Sequence, residues 1–200
     1  MTVVSSFLTF PDISWWGHVA SADVVILDAA ERFQKMSFRN RYRISGANNS
    51  VLLTVPLVSG REQHLPMADV QIYNDARWQT QHWRTLVSVY KRSPYFDHYE
   101  ESLKTLFETP FTRLIDMDRA SIVWVKQQLK MSFTIQETEV YQKHYPADIM
   151  DLRNAKKQAE NLPKYYQVFE DRIGFVPNLS IVDLLFSEGP HTVNKLKTVG

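Results

Sequence analysis

The sequence predicts an α/β fold, with a small central sheet that begins with a βαβ-like unit and a hairpin and packs against several helices. Three observations carry this reading. Two β-rich runs, at 2–10 and 23–28, are separated by one short helix-length segment, the order of a parallel βαβ unit. Two further β-rich runs, at 37–45 and 51–55, flank Gly46, Ala47, Asn48 and Asn49, which supply turn chemistry for a hairpin. From residue 74 to 130 apolar residues recur with helical spacing, so a helical layer covers the sheet. The 200 residues suit a single domain over 1–200.

Each element has its own signal. Pro11 ends the first strand, and Ser14 is the expected cap of a helix over 15–22. The run Val24, Val25, Ile26, Leu27 closes on Asp28, at the carboxyl end of its strand, where open α/β sheets collect ligands. In a strand over 37–45, Phe38, Asn40, Tyr42 and Ile44 share one face and Arg39, Arg41 and Arg43 the other. Such a row is either a charged edge that blocks aggregation or an anion site. Residues 60–75 read as loop with a short edge strand. A helix capped by Asn74 or Asp75 should run to Arg92, with Trp78, His82, Leu86 and Val89 on its buried stripe. His82 is then either a hydrogen-bonded core residue or a general base tuned by partial burial.

Ser93 and Pro94 signal a new helix whose face is Phe96, Tyr99, Leu103, Leu106 and Phe107, and a third helix is expected over 116–130. Residues 133–141 alternate like a short strand. The polar segment 146–163 reads as a short helix or a mobile flap. Ser180 is the expected cap of a last helix, with Asp183 as its capping acid and Gly189 and Pro190 as its stop.

Composition excludes several functions. With no cysteine there is no disulfide, thiolate metal site or thiol nucleophile. A net charge of +1 gives no wide basic field for nucleic acid, and the opening residues form neither a signal peptide nor a spanning segment, so a cytoplasmic protein without membrane insertion is expected. The six histidines show no metal-ligand spacing, and no glycine-rich phosphate loop occurs; neither a metal nor another cofactor is expected.

Several stretches resemble the WbqC-like family of bacterial proteins: FPDISWW (10–16), ADVVILD (22–28), SFRNRYRI (37–44), LTVP (53–56), Trp78 with His82 and Trp83, YKRSPYF (90–96), YYQVFE (165–170) and FVPNLSIVDLLF (175–186). Members occur with O-antigen and other surface-polysaccharide genes, and glycine or aminoacyl transfer to a sugar has been suggested for some. The resemblance thus implies work on an activated sugar.

Two functions fit. The first is an acyl or aminoacyl transferase, with glycyl transfer as one form, acting on an activated amino sugar, a small-molecule substrate of the nucleotide-sugar type. Here Arg39, Asn40, Arg41 and Arg43 bind the anionic part, His82 is the base and Asp28 orients it or the substrate. Trp15, Trp16, Trp78, Tyr165 and Tyr166 offer aromatic surface for a base or sugar ring, and Gln167 and Glu170 could meet its hydroxyls. The second is a non-catalytic sugar- or anion-binding scaffold in the same pathway.

Overall fold

A computed structural model describes residues 1–60, 64–153 and 161–199. Four parallel strands form the central sheet in the order β5-β2-β1-β6, where β1 is Thr2–Ser6, β2 Val24–Asp28, β5 Thr134–Glu137 and β6 Ile149–Asp151. The α/β class, the opening βαβ unit, the hairpin and the helical layer are as the sequence predicts. Helix α1 (Ile13–Val19) links β1 to β2, which pair in register from Thr2 with Val24 to Ser6 with Asp28. Since β1 lies inside the sheet, Val3 and Val4 are buried whichever way they point, as both faces of a parallel sheet are covered.

The chain adds strands on one side of β1, then returns to add β6 on the other. This reversal creates a switch point between β1 and β6, where connections leave in opposite directions and a crevice opens at the carboxyl edge.

β3 (Arg41–Ile44) and β4 (Val51–Thr54) form the hairpin. Gly46 is required there by close approach: a Cβ would lie 2.4 Å from the Asn49 carbonyl oxygen. Three helices build the helical layer: α2 (Trp78–Tyr90), α3 (Phe96–Glu108) and α4 (Leu114–Gln128). Trp78, His82, Leu86 and Tyr90 form the buried stripe of α2, and Phe96, Tyr99, Leu103 and Phe107 that of α3, each at four-residue spacing apart from the first step of α3. The short α5 (Glu170–Ile173), then α6 (Ile181–Glu188) and α7 (Thr192–Leu196), complete the chain.

Several local expectations are corrected. The first strand stops at Ser6, and Asp12, not Ser14, caps α1 by accepting the Trp15 amide at 2.9 Å. The third strand starts at Arg41, so Arg39 precedes it. α3 begins at Phe96 without a side-chain cap, and the buried Ser93 hydroxyl has no partner among the described residues. Part of the segment 146–163 is the edge strand β6, while residues 154–160 lie outside the described residues. Asp183 is fully buried and caps nothing; it accepts the hydroxyls of Tyr90 and Tyr165.

Phe10 sits in the core at a conformational cost. Its φ of 43° is unfavourable for a side-chain-bearing residue, typically by about 1–3 kcal/mol. Bonds on both sides hold it: its amide donates to the Ser121 hydroxyl at 3.1 Å and its carbonyl accepts the Ser180 hydroxyl at 2.9 Å. Its ring lies 5.1 Å from that of Tyr42 and 5.8 Å from that of Phe107. The turn at 10–12 is thus locked between α4, the hairpin and α6, which fixes Asp12.

Candidate functional site

At the switch point lies a crevice of about 340 Å³, within the size range of small-molecule sites. Ser6 reaches it from the end of β1, Asp12 and Trp15 from the start of α1, Arg39 from the loop before β3, Arg153 from just past β6, and Asn178 from the turn before α6. A smaller cavity shares Leu8, Asp12, Phe38 and Asn178 with it and continues to Arg43, so the two form one groove.

A buried ionic network braces the crevice across three strand ends. Arg39, 3% exposed, makes a fork-shaped pair with Glu31 at 3.0 and 2.8 Å and donates to the Ser6 hydroxyl at 2.8 Å. Asp28, fully buried, accepts the Glu31 amide at 3.0 Å and the Thr138 hydroxyl at 2.7 Å on one oxygen. Its other oxygen accepts Arg153 at 2.7 Å. Arg153 also binds Asp151 at 2.7 Å and the Gln142 carbonyl at 2.7 Å, with the Tyr145 ring centred 4.8 Å from its guanidinium carbon. Each charge is matched and hydrogen-bonded, the condition under which buried ions persist.

Above this network Asp12 is clamped. One carboxylate oxygen accepts the Trp15 amide, and the other accepts the Asn178 side-chain amide at 3.0 Å. Asn178, at φ 56°, in turn accepts the Ser14 amide at 2.8 Å. Burial lifts the Asp12 carboxyl above its ordinary pKa even though the Trp15 amide and Asn178 pull it down. A carboxylate raised in this way is a stronger base at a ligand-facing position.

The predicted site residues are spread over several places. Trp15 and Arg39 line the crevice, and Trp15 is oriented by its indole N–H donating to the Ser5 hydroxyl at 2.7 Å. Arg43 lines the rim and Arg41 stands beside it, each with its guanidinium 5.9 Å from the exposed Phe38 ring, and Arg41 also donates to the Ser37 carbonyl at 2.7 Å. The three-arginine row is therefore broken, because Arg39 turns inward to Glu31. Asn40 extends the hairpin by donating to the Val55 carbonyl at 2.9 Å.

Trp16 and Trp78 are core residues; the Trp78 indole donates to Asn74 at 3.1 Å. His82 is 4% exposed between the Trp78 and Phe107 rings. Its Nε2 lies 3.2 Å from the Thr54 carbonyl, which can only accept, so Nε2 carries the proton and Nδ1 accepts the Tyr42 hydroxyl at 3.3 Å. Burial depresses its pKa to about 4. His82 does not line the groove, and no hydrogen bond joins it to Asp28; the expected base and its orienting acid are not brought together, since each is consumed by structural partners.

The remaining candidates lie in the C-terminal third. Tyr165 and Gln167 are buried, Tyr166 is exposed, and Glu170 opens α5 on the surface. Asp12, Glu31, Asp151, Arg153 and Asn178 were not singled out from the sequence as site residues. Asp12 carried a signal, a helix-capping residue type directly before an apolar run, whereas Arg153 and Asp151 sat in a polar segment without periodicity. Among the described residues no group of three or more His, Asp or Glu could hold a metal ion, and no helix is long and apolar enough to cross a membrane.

Fold and site together define an α/β protein with a ligand-sized crevice at the switch point of a parallel sheet. The sequence profile of the WbqC-like protein family matches residues 8–162, and the chain belongs to that family. The match includes Asp12, Trp15, Arg39 and Arg153 and stops before 165–170 and 175–186, so Asn178 completes the site from outside it. Comparison with curated proteins and with solved structures gives no match.

Proposed function

We propose that the protein is an acyl or aminoacyl transferase that acts on an activated amino sugar in bacterial surface-polysaccharide biosynthesis. Family membership supports the pathway at its coarsest level. The observation that carries the chemistry is the single groove leading from Arg43 at its rim, with Arg41 beside it across the Phe38 ring, to the clamped, raised-pKa Asp12. In this reading the rim takes the diphosphate and the crevice takes the sugar, whose ring lies on Trp15.

The amino group of the sugar attacks the carbonyl carbon of an activated acyl donor. A C–N bond forms, the bond from the acyl carbon to the leaving group breaks, and the leaving group departs with the electron pair. Asp12 takes the proton released by the amine. No enzyme nucleophile is needed. Asn178 is a positioning residue that aims the Asp12 carboxylate.

One observation favours a second reading, non-catalytic sugar binding: both Asp12 oxygens already serve the α1 cap and Asn178. The two readings separate experimentally. A panel of nucleotide amino sugars is screened by thermal shift; a ligand at 100 times its Kd stabilises by about 2.7 kcal/mol, or roughly 5–10 °C in Tm for a domain of this size. Arg43→Gln should remove the shift. Mass spectrometry of the hit with acyl donors then reads transfer, which Asp12→Asn should abolish while binding persists, because an asparagine side chain also caps helices well. Binding with no transfer by any donor favours the scaffold, and no shift with any nucleotide sugar rejects both.

A further inference from the structure

A second cavity, about 480 Å³, opens between the end of α2 and residues 166–172 and shares no lining residue with the groove. Its wall is built by alternation: Tyr165 and Gln167 point inward, and Tyr166 points out, 63% exposed. The inward pair is fixed. The Tyr165 hydroxyl donates to Asp183 at 2.6 Å, while the Gln167 side chain donates to the Val176 carbonyl and accepts the Val176 amide, both at 2.8 Å. The Tyr166 ring therefore stands on a backbone that is already ordered, which lowers the entropic cost of stacking a ligand on it.

The charges lining this cavity are unbalanced. Lys91 is occupied by Asp97 at 2.9 Å and Glu100 at 2.8 Å. Arg92 and Arg172 line the cavity, and no ion pair or side-chain hydrogen bond engages either of them among the described residues. Asp171 is the one carboxylate in the lining among the described residues. Two unengaged guanidiniums suit a phosphate, an exposed phenol ring suits a planar base, and a carboxylate accepts ribose hydroxyls.

We propose that this cavity is a second small-molecule site that takes a nucleoside phosphate, with its base on Tyr166, its phosphate on Arg92 and Arg172, and its ribose hydroxyls on Asp171. The site is independent of the transferase reading, since it uses none of the groove residues.

Isothermal titration of the full chain with AMP and UMP tests it, with inorganic phosphate and adenosine as partial ligands. Saturable binding of a nucleotide is expected. Tyr166→Ala and Arg92→Gln should each weaken it by about tenfold or more, the scale of one stacked base or one charged phosphate contact. Both residues are on the surface, and circular dichroism checks that the variants remain folded. Arg43→Gln removes any nucleotide binding in the other groove, so a binding isotherm that survives in it reports this cavity. The proposal is overturned by no binding at millimolar nucleotide, by affinities unaffected in both cavity variants, by loss only in Arg43→Gln, or by inorganic phosphate binding as tightly as the nucleotides.

Discussion

Arg153→Met removes the cation that joins the carboxyl ends of β2 and β6 and leaves its stem volume nearly filled. Asp28 is fully buried, and Arg153 is the sole partner of its second carboxylate oxygen among the described residues. The first oxygen keeps the Ala30 and Glu31 amides and the Thr138 hydroxyl, none of which carries charge. Stranding a buried carboxylate in this way costs about 3–5 kcal/mol. At roughly 2–4 °C per kcal/mol for a domain of this size, Tm should fall by about 6–20 °C. Chemical denaturation gives the free energies, and the cycle completed by Asp28→Asn and the double variant isolates the pair. Because Asp28→Asn takes away the charge that Arg153→Met would strand, the double variant should be less destabilised than the sum of the single changes by about 2 kcal/mol or more. An Arg153→Met protein within about 1 kcal/mol of the parent, or additive changes around the cycle, would refute the idea that this network braces the crevice.

Three further outcomes test the fold around the site. Stability should fall by about 3 kcal/mol as pH drops from 6.5 to about 4, because the unfolded chain protonates His82 over that window while the folded protein holds it neutral; His82→Gln should flatten this part of the denaturation profile, and an unchanged profile would show that the imidazole is not held neutral. Gly46→Ala should destabilise the hairpin by about 1–3 kcal/mol, since the new methyl carbon meets the Asn49 carbonyl oxygen at 2.4 Å; an unaltered denaturation midpoint would count against the turn geometry. Tyr165→Phe withdraws one of the two phenols on the buried Asp183 and should cost about 1–3 kcal/mol, read by urea titration, with no loss expected if the carboxylate were solvated instead.

The sequence carried the fold where periodicity was strong. Trp78, His82 and Leu86 repeat on one helix face, and the apolar run at 24–27 closes on Asp28 where the ligand edge lies. It carried β6 poorly: three residues at an edge, two of them exposed, leave no alternation to detect. The arginine row is broken for a tertiary reason. Strand alternation carried back to Arg39 places it in the row, but the strand starts two residues later, and the buried partner that draws Arg39 inward, Glu31, lies eight residues earlier, in the loop after β2. Asp12 and Asn178 are 166 residues apart, and no local pattern announces that they meet.

This arrangement decides how the groove can discriminate. Arg39 and Arg153 are matched by Glu31, Asp28 and Asp151, so the crevice floor presents oriented hydrogen bonds without excess positive charge. Beyond Lys35 in the crevice wall, attraction for a phosphate comes from Arg43 at the rim, with Arg41 beside it, where salt screens it. A ligand that is anionic at one end and hydroxylated or amino-bearing at the other meets both requirements, since the guanidiniums of the floor are already engaged by carboxylates behind them. Affinity for a nucleotide sugar should accordingly weaken with ionic strength, chiefly through the rim. In Arg43→Gln the salt dependence should shrink together with the affinity, and a salt dependence that survives in full would move the phosphate from the rim to the floor.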